Sequence, residues 1–238
     1  MNQIHVTSLG TFNTCPFKFK YDKTPIELIN TIPGDILNIA VGSQWDITPF
    51  LDDFTNNFKG DFKLRKMLEV IYAKARERVK EMKAKYPELW QETKMFHRVN
   101  DELIIVGTPD IFYKDENGDM VVADWKTWAS HSRYKWDDIW NESLQPVIYS
   151  MFIMDYFKVD KVKFKYMVYS KANGECLDFE RDFNRTEVEA KVKQVVDDYE
   201  LSEFSDNWKP QSCRYCSGMC PLRKNGECPM YTRKISEI

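Results

Sequence analysis

The stretch "GTPDIFYKDENGDMVVADWK", residues 107–126, decides the fold. Two runs rich in β-branched and aromatic residues, "DIFYK" (110–114) and "MVVADWK" (120–126), flank the polar link "DENGD". That pattern predicts two antiparallel strands joined by a tight turn. A three-residue loop of Glu116, Asn117 and Gly118, with Gly118 left-handed, makes Asp115 the partner of Asp119 and, counting outward, Asp110 the partner of Asp124. Directly paired residues share a face of the sheet, so the two carboxylates would lie side by side. Lys126 falls on the same face as Asp124 because strand side chains alternate. A two-residue Asn117-Gly118 loop would set Asp110 opposite Trp125 and separate the acids, so the pairing requires an odd-length loop or a bulge.

Two adjacent carboxylates are costly without a counter-charge. A hard divalent cation, Mg²⁺ or Mn²⁺, supplies one: it takes carboxylate oxygens from Asp110 and Asp124 and can accept the backbone carbonyl of Trp125. Lys126 would then orient or deprotonate an attacking water, or stabilise charge developing on a phosphate. A lone Asp-x-Lys on a solvated hairpin is more often an exposed ion pair of nearly neutral energy. The surrounding chain therefore has to decide between the two.

Upstream, residues 61–85 form the clearest helix, with Leu64, Leu68, Ile71, Tyr72, Ala75, Val79 and Met82 at three- and four-residue steps and Pro87 ending it. A second helix is expected within 35–58 through "ILNIAVGSQWDI", and a short one before Cys15-Pro16. "ELIIVG" (102–107) reads as a strand preceding the hairpin. Downstream, a helix fits 138–157, where Pro146 must be accommodated. "KVKFKYMVY" (161–169) and "ECLDFE" (175–180) pair around a "KANG" turn, and a last helix spans about 186–201. The order predicts a mixed α/β domain with an antiparallel start to its sheet.

The chain has 238 residues, 43% of them hydrophobic and 30% charged, with a net charge of −3, which suits a globular domain and argues against a generally basic nucleic-acid coat. Its longest apolar runs are far short of the roughly 20 residues a membrane span needs. The Met-Asn-Gln-Ile start lacks a basic region followed by an apolar stretch, so a cytoplasmic location is expected, the host cytoplasm if the protein is viral. Six cysteines are unevenly spread: Cys15 and Cys176 stand alone, while Cys213, Cys216, Cys220 and Cys228 crowd together. In a reducing compartment such a cluster reads as metal ligation before disulfides. Cys176 reads as a small buried residue.

Taken with its context, "GTPD" followed after thirteen residues by "DWK" resembles the PD-(D/E)XK nuclease superfamily, with Pro109-Asp110 as the PD and Asp124-Trp125-Lys126 as the (D/E)XK. "QPVIY" places Gln145 and Tyr149 one helical turn apart. It looks like the Q-x-x-x-Y motif of the RecB-like branch, whose glutamine and tyrosine position substrate near the catalytic centre. In "VGSQWD", Gly42-Ser43 match a G-[ST]-x-x-H motif, but Asp46 stands where the family has a metal-binding histidine. An aspartate also suits a hard cation. His5, His97 and His131 lie elsewhere and read as structural or exposed.

Some members of this branch, including AddB-type helicase-nucleases and CRISPR-adaptation nucleases, bind a [4Fe-4S] cluster through one cysteine before the nuclease core and three after it. "TSLGTFNTCPFKF" is similar to their N-terminal segment, with Cys15 as the lone ligand. The tail, C-x2-C-x3-C-x7-C, departs from the family's C-x2-C-x5-C, so Cys213 and Cys216 are joined by either Cys220 or Cys228. A four-thiolate Zn²⁺ site made by the tail alone is equally permissible.

The resemblance implies a restriction-endonuclease-like α/β core with a cysteine-rich C-terminal metal-binding segment, divided as residues 1–204 and 205–238. It also implies a metal-dependent DNA nuclease, an exonuclease on single-stranded DNA or ends, serving recombination, repair, CRISPR adaptation or phage replication with protein partners from such a complex. No P-loop motif occurs, so no helicase motor is expected. The alternative is a non-catalytic DNA-binding or assembly protein that keeps the fold. The lysine face of 161–171 and the aromatics Trp125, Trp128 and Tyr134 are candidate backbone and stacking contacts.

Overall fold

The computed structural model describes residues 2–23, 47–48, 51–52, 62–128, 140, 143–212, 216 and 220–230. The expected helix within 35–58 (apart from 47–48 and 51–52), Asp46, His131, Tyr134, Cys213 and most of 129–142 lie outside the described residues.

Five strands form the main sheet in the order β2 (Leu89–Gln91), β5 (Ile111–Lys114), β6 (Met120–Trp128), β7 (Lys161–Ser170) and β8 (Cys176–Asn184). β5 and β6 are antiparallel, β6 and β7 parallel, and β7 and β8 antiparallel. The parallel pair needs a crossover, and the helix α4 (Gln145–Phe157) lies between the two strands in sequence. Alternation along β6 sends Val121, Ala123 and Trp125 to one face and Met120 and Val122 to the other.

Each face is covered by the helix whose apolar stripe fits it. On the first face lies α3 (Phe62–Lys85), which buries Ile71, Ala75, Val79 and Met82 against Ile111, Tyr113, Val121, Ala123 and Trp125. On the second lie α4 and α5 (Arg185–Ser205), together with α1 (Val6–Thr14), around Phe112, Val122, Phe164, Tyr166 and Val168. This is the mixed α/β arrangement of a restriction-endonuclease-like core.

α4 begins at Gln145, and Pro146 occupies its first turn, where a missing N–H costs nothing. Asn184 caps α5 by accepting the Glu187 N–H at 2.9 Å.

The strand "ELIIVG" differs from its expected place. β4 (Leu103–Gly107) belongs to a separate three-stranded sheet, β1-β4-β3, in which β1 (Asn2–His5) runs parallel to it and β3 (Met95–Arg98) antiparallel. The short β2 and β3 and the N-terminal β1 have no periodic signature of their own. β1 and β2 are held by pairing with strands distant in the chain and β3 by a short hairpin with β4, and patterns of three or four residues announce neither.

The lysine face is also corrected. Lys163 and Lys165 project to the α3 side of the sheet with Met167 and Tyr169, opposite to Phe164, Tyr166 and Val168. There they meet acids of β8: Lys161 pairs with Asp182 at 2.9 Å, Lys163 with Glu180 at 3.7 Å and Lys165 with Glu180 at 2.6 Å. A cross-strand ion-pair ladder uses these charges, so they do not face the site described below. Trp125 is corrected likewise as a stacking candidate: its ring is buried against Tyr169 at a centroid distance of 5.8 Å. Trp128 is partly buried against the α4-side core.

Candidate active site

The hairpin register matches the count from the turn. Gly118 has φ +85°, the Asp115 N–H donates to the Asp119 carbonyl at 2.9 Å, and Ile111 lies opposite Ala123, which sets Asp110 opposite Asp124. Asp110 Oδ2 accepts the Trp125 N–H at 2.8 Å, so the turn into β5 is tied directly to the (D/E)XK strand.

On the α4 side of the sheet, four side chains converge. Asp124 is 1% exposed, and its Oδ2 lies 2.5 Å from the Lys126 ammonium. Its Oδ1 accepts the Gln145 side-chain N–H at 2.9 Å, while Lys126 donates to Gln145 Oε1 at 3.0 Å. Gln145 thus bridges acid and amine from the first turn of α4. Tyr149, one turn on, donates its hydroxyl to the Thr108 carbonyl at 3.1 Å and so packs over the segment that precedes Asp110. Lys126 also sits 5.8 Å from the ring centre of Tyr166, which lies opposite Asp124 on β7.

Charge and burial are opposed here. Burial, then the neighbouring Asp124 carboxylate, pushes Asp110 up to about 7. Burial raises Asp124 as well, with Lys126 pulling the other way. Burial alone would lower Lys126, but Asp124 and Asp110 outweigh it and its pKa is raised, so the amine is held as a cation. The site is short of positive charge with one ammonium against two carboxylates.

Asp124 Oδ2 is buried with the Lys126 ammonium against it, so a cation drawing on this oxygen would share or displace that ion pair. Asp110 and Asp124 offer hard oxygen donors suited to Mg²⁺ or Mn²⁺. Among the described residues, no group of three or more His, Cys, Asp or Glu side chains is drawn together tightly enough to hold an ion. The third expected acid, Asp46, is outside them. His97 lies away from this cluster, paired with Asp155 at 2.7 Å.

The tightness of the site is set at Gly107, at the end of β4. A Cβ there would stand 2.6 Å from Val6 Cγ2 and 2.9 Å from Tyr149 Cε1. Gly107→Ala is therefore expected to destabilise the protein by ~1–3 kcal/mol, as overpacking does. Urea unfolding measures this, and an unchanged midpoint would mean that the Tyr149 ring is free to shift.

The family model of the PD-(D/E)XK nuclease superfamily matches residues 41–221, well over half of the chain. The chain belongs to the PD-(D/E)XK nuclease superfamily. Members of that superfamily hydrolyse phosphodiesters with Mg²⁺ or Mn²⁺, and the carboxylate pair of this PD-(D/E)XK protein is of the matching kind. Among solved structures, that of SSO0001 resembles it with a TM-score of 0.50 and 17% identity, over 97% of this chain and 87% of that one. A Eubacterium rectale protein described as a candidate exonuclease gives a TM-score of 0.58 and 16% identity, over 94% and 88%. At these identities the likeness concerns the fold. No curated protein matches the sequence.

A second constellation joins the two ends of the described chain. Cys15, Cys216, Cys220 and Cys228 are all buried. Burial pushes the Cys228 thiol up, and Cys220, Cys15 and Cys216 add to the effect, although among the described residues these sulfurs are not drawn together tightly enough to hold an ion. Cys15 also caps α2 (Pro16–Tyr21) by accepting the Lys18 N–H at 3.4 Å. Cys176 stands apart, half-buried beside Arg78.

One acid beside this cluster carries no sequence signal. Glu92 follows β2 and donates its N–H to the Asp110 carbonyl at 3.0 Å, and its charge adds to the upward push on Asp110. Nothing local in "QETK" marks it, because its position depends on the pairing of β2 with β5.

Proposed function

We propose that this chain is a divalent-cation-dependent deoxyribonuclease, acting as an exonuclease on single-stranded DNA or DNA ends. The observation that carries the reading is the pairing of Asp110 with Asp124 in one hairpin, with Lys126 and Gln145 hydrogen-bonded into the same cluster. A protein that used this fold only to bind DNA would gain nothing from burying two like charges beside a held ammonium. The description of the Eubacterium rectale structure as a candidate exonuclease supports the choice of exonuclease.

Asp110 and Asp124, with the Trp125 carbonyl and Asp46, would hold the cation. When bound, the cation supplies Lewis-acid polarisation of the scissile phosphate and of the attacking water. Lys126, kept protonated, donates to a non-bridging phosphate oxygen as charge grows there. Gln145 fixes the reach of Lys126 through Oε1 and the rotamer of Asp124 through its amide N–H. Tyr149 holds the Thr108 backbone and with it the entry into Asp110.

The test is cleavage of end-labelled single- and double-stranded DNA with Mn²⁺. Mononucleotide release from an end, abolished by chelator, is expected. DNA bound but intact under all metal conditions would leave the non-catalytic alternative standing.

Cys15 with three of Cys213, Cys216, Cys220 and Cys228 would hold a [4Fe-4S] cluster, since thiolates suit iron-sulfur centres and the set would join the two chain ends. That Cys15 acts on the Cys228 thiol together with Cys220 and Cys216 supports this set over a Zn²⁺ site built from the tail alone. Anaerobically purified protein is expected to be brown and Cys15→Ala colourless. Colourless protein that carries one equivalent of zinc with or without Cys15 would overturn it.

A further inference from the structure

We infer that the outer flank of α3 is a binding surface for the phosphate backbone of duplex DNA, holding the double-stranded part behind the end that is cut. The inference rests on the nuclease reading above and adds to it a surface outside the superfamily motifs.

α3 carries nine basic residues against three acidic ones, in a chain whose net charge is −3. Each residue advances about 100° round a helix, so the basic residues separate into two flanks. Arg78 turns toward β8, where it pairs with Asp178 and lies 3.5 Å from Cys176 Sγ. Arg76, Lys80 and Lys83 fall on the opposite flank at four- and three-residue steps, and Lys66 extends that side toward the start of the helix. From Lys66 to Lys83 the flank is ~25 Å long.

Three observations set this flank apart from a solvated helix surface. Lys66, Arg76, Lys80 and Lys83 meet no acid among the described residues, whereas Arg65, Arg78 and Lys85 of the same helix are each ion-paired. Arg76, Lys80 and Lys83 are also neighbours of like charge, which weaken a helix unless an anion lies across them. Lastly, the flank offers a partner charge without apolar surface. The apolar stripe of α3 is already buried under the sheet, whereas a helix that lies on a membrane keeps that stripe for lipid. Protein interfaces are poor in lysine. The ring on this side, Tyr72, lies under the Arg76 guanidinium, so it is not open for an unpaired base to stack on. Duplex DNA turns its bases inward and carries a negative charge every ~3.4 Å along each strand, which matches a row of cations without rings.

The flank also leads the right way. At its C-terminal end α3 meets the β5–β6 turn, where Lys85 pairs with Glu116 at 3.3 Å and Tyr86 stacks on Tyr113. Its N-terminal half meets the β7–β8 turn, where a Cβ on Gly174 would stand 2.8 Å from Val70. That turn follows Ser170, the partner of Trp128 at the end of β6. α3 is therefore antiparallel to β6, and a duplex laid along it has its terminus at the end of the sheet that lies beyond Asp124 and Lys126.

The test compares Arg76→Gln/Lys80→Gln/Lys83→Gln with a control, Lys114→Gln/Lys161→Gln/Lys193→Gln, which removes the same charge from ion-paired lysines elsewhere. Binding of a labelled duplex and of a labelled single strand to the full chain is read by fluorescence anisotropy, in chelator, from about 50 to 200 mM salt. In the flank variant, duplex affinity is expected to fall about 10-fold or more. Its slope of log affinity against log salt is expected to become shallower by about 2 to 3, the loss of three phosphate contacts. The control variant on duplex, and the flank variant on the single strand, are expected to bind as wild type does. If the triple variant melts below wild type, Lys80→Gln and Lys83→Gln are read singly, each expected to remove about 0.9 of slope. Unchanged duplex affinity and slope overturn the inference and leave the nuclease reading intact. So does an equal loss in the control, which would reflect net charge alone, or an equal loss on the single strand. Because no divalent cation is present, the result does not depend on cleavage. Wild type that holds duplex through this flank yet never hydrolyses DNA with Mn²⁺ would keep the surface and remove the nuclease reading.

Discussion

Lys126→Ala should lower DNA hydrolysis by about 10²–10³-fold, the scale on which a single transition-state donor acts, while the protein stays folded. The lysine side chain is 40% exposed, so truncating it opens no cavity in the core. What is lost is an ammonium that two carboxylates keep charged and that Gln145 aims. Because Lys126 is the counter-charge nearest Asp124, its removal should leave Mn²⁺ uptake equal or tighter. Loss of turnover with retained metal binding is therefore the signature of the proposed role, measured by single-turnover cleavage of labelled DNA and by Mn²⁺ titration. Equal cleavage by wild type and variant would sink the catalytic assignment.

Asp110→Asn should have opposite effects on activity and on the stability of the metal-free protein. Asparagine keeps an oxygen to accept the Trp125 N–H, so the local structure is preserved. In the wild type, burial and Asp124 hold the Asp110 pKa at about 7, above its ordinary 3.8. The native state then binds this proton more tightly than the unfolded chain does. The associated stability is complete below the unfolded value and is lost as pH rises through about 7. Metal-free wild type should therefore lose stability between about pH 4 and pH 7, while Asp110→Asn shows a flatter profile. At pH 8 the variant should be the more stable of the two, by on the order of a few kcal/mol. Adding Mn²⁺ should reverse that ranking, because the cation stabilises only the protein that can bind it. Activity should fall more than about 100-fold, since losing a direct ligand costs more than losing an outer-shell partner. Denaturant melts at several pH values, with and without Mn²⁺, measure all of this. A variant that gains stability from Mn²⁺ as the wild type does would remove Asp110 from the cation site.

The residues that resist reading from sequence share one physical property. Asp110, Asp124 and Lys126 are legible because a hairpin is local: the turn residue Gly118 sets the register, and a period of two carries it outward. Gln145 and Tyr149 are legible because a helix repeats each turn, so the two fall on one side of α4. Lys161, Lys163 and Lys165 look like a binding face for the same reason, since alternation tells that they share a side but not which side or against what. Only the parallel pairing of β6 with β7 turns two of them, Lys163 and Lys165, toward α3, and only β8 supplies their acids.

By itself, then, the sequence determined the class of the domain, the carboxylate pair, the amine beside it and the helix that packs over them. Tertiary structure alone decided that β4 leaves the main sheet to pair with β1, that Trp125 is buried on the far face, and that Cys15 reaches the tail cysteines. It also brought Glu92 to Asp110 across an edge strand of three residues. Local elements encode their own geometry in side-chain period and turn chemistry. Contacts between residues far apart in the chain depend instead on which buried surfaces fit together, and no short window of sequence carries that.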